Sequence, residues 1–193
     1  DVERSRGLGD VYKRQFYKTT SPSMDILVSS NLERLLYHVT GSDAEVAGLM
    51  KSLSETGSYT VRPETLKAIQ ESFDCGWSSE EQVAGEIRAR YEKDGYLCDT
   101  HTAVAFHVAA QKKRDGVPMV VLSTASPFKF PRSVLEALGH TAPENDFEAM
   151  RALEEATGRT APASLAALRQ KAERFSTVID PAQIAEVALG CQA

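Results

Sequence analysis

The sequence predicts an α/β fold that is mostly helical, with few strands of the parallel kind. Three observations carry that expectation. Val117-Pro118-Met119-Val120-Val121-Leu122 is an unbroken apolar run with three valines, the pattern of a strand buried on both faces. Thr102 to Ala110 is apolar nearly all round at helical length, so it reads as a buried helix feeding that strand. About eight helical segments accompany this one long strand, whereas a self-contained α/β domain brings roughly four to six strands. The imbalance predicts that the other strands of the sheet lie outside this chain, which reads as a fragment.

Each helix is announced by its own punctuation. Ser21 to Ser30 reads as a turn followed by a short apolar segment. Ser30 with Glu33 forms a capping box, Leu32, Leu35, Leu36 and Val39 follow at helical spacing, and Gly41 closes. Ser42 with Glu45 repeats the pattern before Val46, Leu49, Met50 and Leu53, and Gly57 ends it. Tyr59-Thr60-Val61 is a short strand, and Pro63 opens a third helix carrying Leu66, Ile69 and Phe73. After the break at Cys75-Gly76-Trp77, Ser78 and Glu81 start a fourth helix with Val83, Ile87 and Tyr91, closed by Gly95.

Asp99 opens the buried helix, and Lys112, Lys113 and Arg114 crowd its last turn, where cations favour the dipole. The strand turns polar at Ser123-Thr124 and meets Pro127. A helix marked by Val134, Leu135 and Leu138 then runs to Gly139. A loop from His140 to Asp146 leads to helices over Phe147 to Thr157, Ser164 to Phe175 and Ile184 to Leu189. No repeat of fixed period appears.

Composition narrows the function. At 193 residues, 42% hydrophobic and 25% charged, the chain has the make-up of an ordinary soluble globular protein. A net charge of −5 argues against a nucleic-acid or anionic-membrane partner. No apolar run approaches the ~20 residues that span a bilayer, and no signal peptide opens the chain. Cys75, Cys98 and Cys191, odd in number and far apart, read as reduced thiols of a cytoplasmic protein. Asp1 to Gln15 lacks an apolar period and reads as a non-native leader.

The candidate chemistry is sparse. Ligands of open α/β sheets bind where loops leave the carboxyl ends of strands, which is where Ser123 and Thr124 stand. Their hydroxyls could meet a ligand or cap the following turn. Asp99 and His101 read as a hydrogen-bonded pair at a helix start, with a catalytic role as the sharper alternative. Cys98 and His101 have the spacing of half a metal site, without a second pair to complete it. His107 reads as an interior histidine. Lys129, between Phe128 and Phe130, reads as a snorkelling side chain rather than a desolvated base.

Three stretches, in order, resemble threonine synthases. They are Ser21 to Leu36 (SPSMDILVSSNLERLL), Asp99 to Ala105 (DTHTAVA) and Leu122 to Phe130 (LSTASPFKF), and the tail from Thr160 to Leu189 is similar to the family's C-terminus. The resemblance covers Phe16 onward. It implies the C-terminal part of a two-domain, fold type II pyridoxal-phosphate lyase of threonine biosynthesis. Such an enzyme converts O-phosphohomoserine and water into threonine and phosphate. Residues 16–139 would belong to the α/β catalytic domain and residues 140–193 to its C-terminal helical extension. Thr124 would meet the pyridine nitrogen of the pyridoxal 5'-phosphate cofactor, with Ser123 beside it.

Ser126 stands where the family usually has His, and Phe128 where it usually has Ala. The family's Schiff-base lysine and Gly-Asn-Phe-Gly phosphate loop belong to the N-terminal part, so no catalytic residue is assigned and this chain alone is expected to be inert. A threonine dehydratase fragment is a neighbouring reading that Ser30-Asn31-Leu32-Glu33-Arg34 disfavours. A non-catalytic α/β interaction module is the reading from another class.

Overall fold

Glycines and short polar residues divide the chain into helices much as the sequence suggests. The computed structural model describes residues 10–12, 18–26, 28–172, 174 and 176–190. Cys191, Phe175, Leu27 and most of the expected leader fall outside the described residues. Two units emerge, Asp1–Thr160 and Ala161–Ala193.

In the first unit, strand β1 (Asp10–Tyr12) lies within the stretch expected to be a leader. Helices α1 (Ser30–Thr40) and α2 (Asp43–Thr56) pack together across a two-residue connection, each closed by a left-handed glycine. Strand β2 (Ser58–Thr60) follows and pairs antiparallel with β1, Val11 opposite Tyr59. Pro63 sits in the first turn of α3 (Pro63–Gln70), as expected, but Phe73 lies beyond that helix and is exposed. Leu36, Val46, Leu53, Tyr59, Val61 and Ile69 close one core, edged by Leu35, Val39, Leu49, Met50 and Leu66. Nearly all are the stripe residues of the helical pattern.

A second group of helices completes this unit. It comprises α4 (Glu80–Asp94), α5 (Thr100–Lys112), α6 (Pro131–Ala137) and α7 (Asp146–Thr157). Helix α4 packs on α5 and α6, and α6 packs on α7. Val83, Ile87, Val134, Leu135, Ala149 and Leu153 are buried there. Polar ties reinforce the packing: Arg88 Nε donates to the Ala137 carbonyl at 3.0 Å, and the Arg90 guanidinium lies 4.7 Å from the centre of the Phe106 ring. Gly76 approaches α5 so closely that a Cβ would fall 2.6 Å from Val108 Cγ1.

Further sequence expectations need correction. Ser30 is the first helical residue of α1 and Ser29 its cap, so the Ser30–Glu33 box does not form. The box of α4 is built one residue later than read, from Ser79 and Gln82. Helix α5 is buried only over its first turn; residues 104–109 are half-buried and 110–112 exposed. Residues 117–122 belong to no helix or strand among the described residues, with Val120 76% and Leu122 72% exposed. A strand buried on both faces needs flanking strands and covering layers, and the described residues supply none to this segment. The strand pair that does form is antiparallel.

The second unit holds α8 (Ala163–Ala166), which runs into a 3₁₀ turn at Ala167–Gln170, and α9 (Ile184–Gly190) after a turn at Pro181–Gln183. The helix read over Ser164 to Phe175 is therefore shorter than its apolar pattern suggested.

Candidate functional site

The most organised polar cluster stands at the N-terminus of α5. Asp99 is the N-cap, and its side chain accepts from the backbone N–H of His101 at 2.9 Å and of Thr102. The Thr102 hydroxyl donates to Asp99 Oδ2, and His101 Nδ1 lies 3.0 Å from Asp99 Oδ1. Asp99 is wholly buried, and Thr100, His101 and Thr102 are buried beside it. A carboxylate removed from water in this way needs such compensation: donors on both oxygens and the positive end of a helix dipole.

The cluster reaches back to the start of the chain. Thr100 Oγ1 donates to the Thr20 carbonyl at 2.8 Å, and the Ser23 N–H donates to His101 Nε2 at 3.3 Å. Nε2 therefore carries no proton, and the Nδ1 proton is the one donated to Asp99. The turn Pro22–Met24 that presents Ser23 is braced by Asp25, which accepts from the Thr19 N–H at 2.8 Å and the Thr19 hydroxyl at 2.6 Å. On the other side, the His101 ring lies 4.8 Å from that of Phe130, tilted by 47°.

Ser123 and Thr124 are exposed at the end of the unpaired segment, and neither hydroxyl makes a hydrogen bond among the described residues. The turn after them, Pro127–Lys129, is capped by Ser126, whose Oγ accepts from the Phe128 N–H at 3.3 Å. Capping, one of the two roles open to Ser123 and Thr124, thus falls to Ser126. Phe128 is buried and anchors the turn. Lys129 is exposed, with its ammonium 5.7 Å from the Phe130 ring centre, consistent with a snorkelling side chain.

The remaining candidates have plain surroundings. Burial, with the Asp99 charge adding to it, pushes the Cys98 thiol up to about 12, so it is a poor nucleophile. Its neighbour His101 is engaged at both nitrogens. His107 is half-buried and bonded to Gln111 at 2.8 Å.

Residues 102–188 match a family model described as the C-terminal part of threonine synthase. A crystal structure of pyridoxal-phosphate-bound threonine synthase from Brucella melitensis is 39% identical, with a TM-score of 0.77 over 96% of this chain and 37% of that one. The chain is similar to threonine synthases along most of its length. Threonine synthase of Pseudomonas aeruginosa is 39% identical over 127 residues, 65% of this chain and 27% of its own length. That of Methylobacillus glycogenes is 37% identical over 142 residues, 72% of this chain and 29% of its own. The yeast enzyme, at 24% identity and a TM-score of 0.73, shares the fold. The chain thus spans less than a third of the Pseudomonas and Methylobacillus relatives and less than two fifths of the Brucella and yeast proteins.

All three stretches that resemble threonine synthases converge on one residue. Ser23 of the first bonds His101 of the second, and the Phe130 ring of the third lies against it. Sequence reasoning found Asp99 and His101 as a local pair but missed Ser23, Thr20 and Phe130. Only the Asp-x-His-Thr cap has a local signature; the partners stand far away in sequence.

Proposed function

We propose that the chain is the C-terminal portion of a pyridoxal-phosphate-dependent threonine synthase of the cytoplasm. The reaction would be the conversion of O-phosphohomoserine and water to threonine and phosphate, within a fold type II architecture. Residues 16–139 would contribute to its α/β catalytic domain and residues 140–193 to a C-terminal extension of it, with residues 1–15 a non-native leader. The observation that carries this reading is the convergence of the three threonine-synthase-like stretches at His101, beside the turn that follows Ser123-Thr124.

The donor set suits the cofactor. The group supplies an electron sink for the carbons next to the substrate amine. Thr124, exposed and without a hydrogen-bond partner among the described residues, would offer its hydroxyl to the pyridine nitrogen. A hydroxyl can donate to that nitrogen or accept from it, and it brings no carboxylate charge to hold the nitrogen protonated. Ser123 would stand beside it as a second donor. The Asp99–His101 pair would position segments and move no proton, because both imidazole nitrogens are engaged.

The test is phosphate release from O-phosphohomoserine. A protein of the relatives' full length that carries this chain should release phosphate and form threonine. This chain alone should do neither, nor should it acquire a borohydride-fixed pyridoxyl group at one specific lysine. No turnover by the full-length protein would overturn the reading, and specific lysine labelling of this chain would overturn its inertness.

A further inference from the structure

The hydroxyl-bearing end of the exposed segment is held from one side only. Residues 117–124 make no strand, whereas Phe128 and Pro131 are buried and Ser126 caps the turn between them. Whatever fixes the direction in which Ser123 and Thr124 leave the protein must act through this turn. The Phe130 ring that ends it lies against His101. His101 is itself held at three points: Asp99 on Nδ1, the Ser23 N–H on Nε2, and its own backbone N–H on Asp99.

The geometry points to His101 as a positioning residue that sets the stance of the Ser123–Thr124 hydroxyls by bracing the Phe130 turn against the α5 start and the Thr19–Asp25 arm. Asp99 selects the tautomer, leaving Nε2 bare to accept from Ser23. Reaching out from a buried, fully bonded cluster, the ring offers Phe130 a rigid face, whereas a flexible side chain would have to lose rotamer freedom to do the same. The reach is long: 78 residues separate His101 from Ser23. This inference rests on the proposed cofactor role of Thr124, but its mechanical part does not.

Amide hydrogen exchange on this chain reads the mechanical part without any cofactor. His101→Ala should speed exchange roughly five- to tenfold at Ser23, Phe128 and Phe130, the scale of losing one hydrogen bond, while Leu153 in α7 stays unchanged. Should His101→Ala open the whole unit, two further variants separate the contacts. His101→Gln keeps an acceptor and should spare Ser23 but not Phe130; His101→Phe keeps the ring and should do the reverse. Unchanged exchange at Phe128 and Phe130 in both His101→Ala and His101→Gln overturns the proposal.

The second arm uses a full-length, cofactor-loaded protein and the circular dichroism of its cofactor band. Thr124→Val tests the cofactor role, and His101→Gln should perturb the band in the same direction at full cofactor occupancy. A band altered by Thr124→Val but not by His101→Gln overturns the positioning role. A band unmoved by Thr124→Val overturns the cofactor reading instead.

Discussion

A thiol and a carboxyl group stand side by side in the chain at Cys98 and Asp99, both buried but differently bonded. Asp99 keeps donors on both oxygens. Burial, and after it the neighbouring Asp99 charge, pushes the Cys98 thiol up to about 12. The folded value lies above the unfolded one, near 8.5. Folding therefore favours the protonated thiol, and this contribution is fully present below about pH 8.5 and lost as pH rises through that value towards 12. The urea midpoint of the chain should fall more steeply between pH 8 and 10 than that of Cys98→Ala; parallel slopes would refute the assignment. Ser126 illustrates the same scale. Standing where the family usually has His, it caps its turn with a side-chain oxygen.

Among the elements, the helix starts separate local signals that act from those that merely occur. Ser79 and Gln82 satisfy each other's backbone N–H groups, so Ser79→Ala should cost about 1 kcal/mol. Ser30, inside α1 and without a capping bond, should cost only a few tenths when changed to Ala. Chemical denaturation of the two variants distinguishes them, and equal losses would contradict the cap assignment. The sequence offered Ser-x-x-Glu at both places, at Ser30–Glu33 and Ser78–Glu81, and neither is the box that forms. Stripe residues were far more legible: Leu36, Val46, Leu53, Ile69, Val83 and Ile87 are all buried as their spacing implies. Periodicity averages over several turns, whereas a cap depends on one residue's φ and ψ. The failures at α5 and Val117–Leu122 have another cause. Their composition states what they are suited to meet, and that partner is not among the described residues. Of the candidate site, Asp99 and His101 were legible because a cap is local; Ser23 and Phe130 were not, because nothing local joins them.

For the molecule as a whole, polar and apolar groups change places in two regions. Four consecutive polar residues, Asp99 to Thr102, lie buried, while Val117, Met119, Val120 and Leu122 lie exposed. An exposed apolar segment outside any sheet is a template for association. Val120→Lys with Leu122→Lys should lower self-association in sedimentation or light scattering while leaving the melting temperature of this chain nearly unchanged, since those side chains bury little. A sharp drop in melting temperature would show that the segment already packs in the isolated chain.

The same inversion has a thermal signature. The heat capacity of unfolding rises with the apolar surface newly wetted, typically by ~12–15 cal/mol/K per residue. In this chain Val117, Met119, Val120 and Leu122 meet water before unfolding begins. Less fresh apolar surface remains to be wetted, so the increment per residue falls below that range and the stability curve is correspondingly flat. Enclosing the segment within a full-length enzyme would restore the curvature, making calorimetry a measure of how much of the apolar surface the isolated chain leaves uncovered.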